Sequence, residues 1–154
     1  MSDASDIDLA TRFAESGHEV LDVDGQDVRP LLTLTVDPGD VLEITRLTAS
    51  RQRPQALRLA VHAGQLIVSS TTADEVALWT TTAPRKARAR VDGSEPTSLD
   101  IWNSWRFGGL EHAWIGNAGI VVHSEGDRHT LQCSDGIGPV DFTDLVVTVQ
   151  VLRP

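Results

Sequence analysis

The chain has 154 residues, 40% of them hydrophobic and 23% charged, with a net charge of −9. That length and composition suit one globular domain. They exclude wholesale disorder, collagen-like repetition and a helical membrane span, because the longest apolar runs fall far short of the roughly 20 residues a bilayer requires. The acidic balance argues against nucleic acid and anionic lipid as partners, since phosphates are repelled at long range. One cysteine, Cys133, leaves no internal disulfide. The start, MSDASDIDLATRF, has neither a basic region nor an apolar stretch of the kind a secretory leader carries. A cytoplasmic location is therefore expected, although export by a route without a leader is compatible with the same residues.

Residues 1–8 are polar and acidic and are expected to form a flexible tail, with residues 9–154 forming a single domain. Asp8 to Ser16 predicts one short helix, with Leu9 and Phe13 on one face and Gly17 as its stop. Next comes Asp22-x-Asp24-Gly25-x-Asp27. It is acidic enough to attract a cation, but a two-residue turn at Asp24-Gly25 accounts for it more simply. From there the period is two. Leu32, Leu34 and Val36 alternate with threonines, and Asp37-Pro38-Gly39-Asp40 is a turn. Strands are predicted at Val41–Leu47, Leu57–His62, Gln65–Ser69, Glu75–Thr80 and Lys86–Val91, then at Leu99–Trp105, Gly119–His123, His129–Cys133 and Asp144–Leu152. About ten short strands with turn residues between them predict an all-β fold, a single antiparallel β-sandwich of jelly-roll-like type with a short N-terminal helix or arm.

The segment LDIWNSWRFGGLEHAWIGNAG, residues 99–119, holds three of the four tryptophans and both asparagines. Alternation puts Ile101 and Asn103 on one face, Trp102 and Ser104 on the other. Exposed indoles stack on sugar rings and other flat ligands, and Trp102, Asn103, Trp105, Arg106, Trp114 and Asn117 form the candidate ligand platform. A sandwich poor in other aromatics also needs bulk in its core, so at least one of the three indoles is expected there. The histidines form no H-x-H or H-E-x-x-H pattern. His123 and His129 flank a turn at Glu125-Gly126-Asp127, which leaves room for the two to face each other across a hairpin, but they are expected to be ordinary surface groups. Cys133 shares the phase of Leu131 and reads as a small buried hydrophobe. No nucleophile elbow is present, so no catalytic residue is assigned. Lys86, Arg88 and Arg90 share one strand face and are expected to meet the chain's own acidic groups.

The sharpest local feature is CSDGIGPVDFTDLVVTVQV, residues 133–151. Asp135, Asp141 and Asp144 sit within ten residues, in a loop containing glycine and proline that enters an apolar strand. Close carboxylates repel one another, and a hard dication such as calcium relieves this through carboxylate, carbonyl and water oxygens. The same residues also read as an Asp-Gly turn followed by a strand cap.

An Asp-rich glycine loop running into D-L-V-V-T-V resembles the calcium-bearing terminal strand of bacterial β-sandwich adhesion modules. Paired with VDPGDVLEI at residues 36–44, it is also similar to the calcium-dependent galactose-binding lectins of bacteria. The resemblance implies a small sandwich in which one calcium ion, held by Asp135, Asp141 and Asp144, bridges protein and sugar. The function expected is thus a calcium-organised binding module with a small molecule or glycan, a carbohydrate above all, as ligand. The alternatives are a small sandwich enzyme (an isomerase, cyclase or lyase) using Asp or His in a pocket between the sheets, and an assembly subunit or homo-oligomer pairing through strand edges.

Overall fold

A computed structural model describes residues 7–17 and 19–154. Most of the expected tail, residues 1–6, and His18 lie outside the described residues. Asp8, at the end of that tail, is the cap of the helix: its carboxylate accepts the Thr11 N–H at 2.8 Å, which satisfies one of the free donors at the N-terminus of α1 (Leu9–Ser16). Gly17 closes the helix at φ 63°. The segment β1 (Leu21–Val23), Asp24-Gly25, β2 (Gln26–Val28) is a hairpin with Val23 opposite Gln26. Its two turn residues have φ of 51° and 83°, the pair of positive values a type I′ turn demands.

The rest is a sandwich of two antiparallel sheets, as the alternation predicted. The smaller sheet has β10 (Thr97–Phe107) as its spine. It pairs on one side with β5 (Gln55–Val61), which pairs in turn with β8 (Glu75–Trp79). On its other side β10 is long enough to take both β3 (Leu32–Val36) and β11 (Leu110–His112). The larger sheet runs β12 (Gly119–Glu125), β13 (Arg128–Ser134), β14 (Leu145–Leu152), β4 (Val41–Ala49), β9 (Lys86–Asp92), β6 (Gln65–Val68) and β7 (Thr71–Ala73). The three-residue strands β7 and β11 were not predicted. Two periods of alternation are too short to stand out from a loop.

One apolar core fills the space between the sheets, with Leu57, Leu59, Leu99 and Ile101 on one side and Leu42, Ile44, Leu131, Val147 and Val149 on the other. β14 lies inside its sheet between β13 and β4, and Val146 is buried along with its inward neighbours. A second, smaller core of Leu9, Leu21, Val28 and Val121 fastens the helix and hairpin to the outside of β12. Gly119 permits this close approach, since a Cβ there would lie 2.6 Å from Val28 Cγ1. No helix among the described residues is long and apolar enough to cross a membrane.

Candidate functional site

The six residues of the expected platform do not stay together. The alternation along β10 is as predicted, but its consequence is to split them. Asn103 and Trp105 point into the sandwich and are buried, which corrects their place in an exposed ligand surface. The Asn103 amide donates to the Ser134 carbonyl at 3.0 Å. Trp105 packs so closely on Gly136 that a Cβ there would be 2.5 Å from its ring. Trp105 is the core indole the composition called for. Asn117 is elsewhere again. Its oxygen accepts the Leu9 N–H at 3.2 Å and its amide nitrogen donates to Gly138 O at 2.8 Å, stapling α1 to the loop after β13.

Trp102, Trp114 and Arg106 remain on the outer face of the smaller sheet. Trp102 is only 8% exposed although it points outward, because Trp114 lies over it, ring centres 5.0 Å apart and planes 28° from parallel. Trp114 itself is 47% exposed. Its backbone has φ 59°, a left-handed conformation that is unusual for so bulky a side chain. Its indole N–H donates to the Pro30 carbonyl at 3.1 Å. Stack and hydrogen bond together hold the strained residue in place. Further along the face, the Arg106 guanidinium lies 4.7 Å from the centre of the Trp79 ring, a cation–π contact. Arg58, cross-strand from Trp102, donates to Glu111 at 2.5 and 2.7 Å and to Glu75 at 2.6 Å. The Arg58 guanidinium holds the Glu111 carboxyl below its ordinary value. The outer face is thus a pair of stacked indoles beside a string of ion pairs.

The acidic loop is built around a cation supplied by the chain. Asp135 is fully buried. It accepts from Arg53 Nε at 2.9 Å, Arg53 Nη2 at 3.3 Å, Gln55 Nε2 at 2.9 Å and the Ile137 N–H at 3.0 Å. Asp144 accepts the Asp135 N–H at 3.0 Å. Burial, followed by the charges of Asp135 and Asp141, pushes the Asp144 carboxyl up to about 6. Asp141 is exposed and turns its Oδ1 to the Thr143 N–H and hydroxyl, which lower its pKa. The structure brings Asp135 and Asp144 into contact and leaves Asp141 at the rim. Among the described residues, no group of three or more His, Cys, Asp or Glu side chains is placed to hold a metal ion.

The histidine pair is separated as well. His123 stands opposite Thr130 and His129 opposite Ser124, so the two rings lie on opposite faces of the sheet. His123 contacts Gln132 at 3.1 Å, and His129 Nδ1 lies 2.7 Å from Ser124 Oγ. Burial lowers the His129 pKa. On the neighbouring strands Lys86 and Arg88 meet the chain's own Glu43, at 3.4 and 2.8 Å.

Three concavities bear on ligand binding. Between the sheets, at Ile44, Leu57, Leu78 and Val147, the opening is only about 20 Å³, about the space of one water. A groove of about 560 Å³ runs between α1, the β1–β2 hairpin and the loop at Pro139–Phe142. A third cavity, of about 360 Å³, is lined by Glu19, Val20, Arg29, Pro30, Leu31 and Thr33. Pro30 is also the acceptor of the Trp114 N–H, so one residue links this cavity to the stacked indoles, which do not themselves line it. Arg29, Pro30 and Trp79 were missed in the sequence. Their partners are 84 residues away for Pro30 and Trp114, and no local pattern encodes such a meeting.

The chain matches no protein-family model, no curated protein and no solved structure.

Proposed function

We propose that this protein is a non-catalytic ligand-binding module, with a carbohydrate as the favoured class of ligand, and that the outer face around Trp102 and Trp114 is its site. Trp114 carries the reading. A non-glycine residue held in the left-handed region costs about 1–3 kcal/mol and persists where its surroundings over-determine it, commonly at ligand clamps. Here the surroundings are a stacked indole and a hydrogen bond, and the result is a large apolar ring kept half in solvent. A rigid exposed indole presents the flat apolar surface on which the C–H face of a pyranose packs, while Arg106 and the cavity linked through Pro30 offer polar groups to hydroxyls.

A calcium ion at Asp135, Asp141 and Asp144 would have to displace Arg53 from Asp135. In this reading calcium competes with an ion pair that already organises the loop. The enzyme alternative has less to rest on, because the opening between the sheets is the size of one water. The assembly alternative has edge strands β7 and β11 of three residues each and β8 of five, and its longest edge, β12, is already bridged at Ile120 by Arg29.

The test is titration with neutral and acidic monosaccharides followed by tryptophan fluorescence and by NMR of the indole N–H resonances. Binding should shift the Trp114 resonance and leave that of buried Trp105 in place, and Trp114→Ala should abolish the response. A panel of sugars that moves no indole resonance would remove carbohydrate from the proposal.

A further inference from the structure

The cavity lined by Arg29 and Pro30 holds a cation with no counter-ion among the described residues. The Pro30 carbonyl receives the Trp114 N–H. The Arg29 backbone is fixed from behind, exchanging hydrogen bonds with Ile120 at 2.9 and 2.8 Å. Its side-chain Nε is buried, and among the described residues it has no hydrogen-bond acceptor. Other arginines also make no ion pair among the described residues, whereas Arg53, Arg58, Arg88 and Arg153 pair with Asp135, with Glu75 and Glu111, with Glu43, and with Asp40 and Asp127. What sets Arg29 apart is that its unpartnered N–H is buried. A buried guanidinium N–H without an acceptor is costly, because its water has been removed and nothing replaces it. The one carboxylate lining the same cavity, Glu19, is exposed and makes no ion pair with Arg29 among the described residues. A cavity of about 360 Å³ falls in the range that holds a small ligand or a substituent of one.

We infer that this cavity receives an anionic group of the ligand, a carboxylate, sulfate or phosphate, with the half-buried Arg29 guanidinium as its donor, and that the ring carrying this group extends past Pro30 towards Trp114. The inference rests on the binding reading above and narrows it from sugars in general to acidic ones. The planar fork of a guanidinium binds two oxygens of such a group at once, which a neutral hydroxymethyl cannot match. The net charge of −9 repels anions at a distance, so discrimination has to come from this local contact; salt screens the distant repulsion more than a partly buried pair.

The experiment compares galactose, galacturonate and sodium sulfate on the full chain, read by the Arg29 Nε–H and Trp114 indole N–H resonances and by calorimetry. Galacturonate should bind about tenfold or more tightly than galactose, the worth of a charge-assisted pair. It should shift both resonances, while sulfate alone shifts that of Arg29. Arg29→Gln should erase the preference by bringing galacturonate down to the affinity of galactose, and Arg29→Lys should retain part of it. Equal binding of the two sugars, indifferent to Arg29→Gln, overturns the inference and leaves the binding module standing. Sulfate that moves Arg29 while no sugar moves Trp114 keeps the anion pocket and removes the sugar reading. If neither anion moves the Arg29 resonance, the pocket is not an anion site. That measurement is made on the unaltered protein, so a variant that fails to fold does not weaken it.

Discussion

Asp135 and Asp144 are neighbouring carboxylates with opposite solutions to burial. Asp135 is paired with the Arg53 cation and accepts a further hydrogen bond from the Gln55 amide. Removing the cation leaves a buried charge unpaired, so Arg53→Gln should cost about 3–5 kcal/mol in chemical denaturation. Asp144 accepts only a backbone N–H and is raised to about 6 by burial and then by Asp135 and Asp141. Its folded value lies above its unfolded one, so the native state holds the proton more tightly than the unfolded chain does. The stability it contributes is fully present below about pH 4 and is lost as the pH rises to about 6. Asp144→Asn should therefore stabilise the protein at about pH 8 and make little difference at about pH 4. Urea melts of the two proteins at both pH values check this, and a gain that persists unchanged in acid would exclude the assignment. Cys133 is the third titratable group in this corner. Burial and then the Asp144 charge push its thiol far up. A thiol reagent should label it only on unfolding, and rapid labelling of the native protein would contradict its placement.

At the scale of elements, the strands are held by very different amounts of buried surface. β14 has neighbours on both sides and is covered on both faces over most of its length. Val149 is fully buried, and Val149→Ala should lose about 1–3 kcal/mol; a loss of a few tenths in a denaturant melt would place the strand at the periphery. The helix and hairpin are held by the smaller core alone. Gly119→Ala puts a Cβ 2.6 Å from Val28 Cγ1 and 3.1 Å from Leu9 Cδ1. It should loosen α1 while leaving the sandwich intact. Hydrogen exchange reads this directly, since the Ala10 amide, bonded to Gly116 O, should exchange faster in the variant than Val149 does. Equal protection of both amides would show that the two cores unfold together.

For the whole molecule, the question is what balances the acidic loop. Its inner carboxylate is already paired, and chelator should leave the melting temperature unchanged. A rise on adding calcium, by RT ln(1 + [L]/Kd), would show that the ion displaces Arg53 and would restore a metal to the site. Trp102, Trp114 and Pro30 belong to the same scale, because they come from β10, the loop after β11 and the segment before β3, and no one element carries the site.

The period-two alternation determined the sandwich, because a strand with one buried face must alternate whatever it pairs with. It also put Cys133 in phase with Leu131 and Trp102 and Asn103 on opposite faces. The turns at Asp24-Gly25 and Pro38-Gly39 were legible for a similar reason, since positive φ selects glycine locally. What alternation does not state is which face looks inward or which strand lies alongside. Trp105 became core and Trp102 platform only once β10 took its place between β5 and β3. The acidic loop read as three like charges seeking a cation, and the cation proved to be Arg53, 82 residues away from Asp135. Arg29 had no signal at all. Its meaning lies in an acceptor that the folded chain does not bring to it, and a missing partner can be recognised only after every other group has been placed.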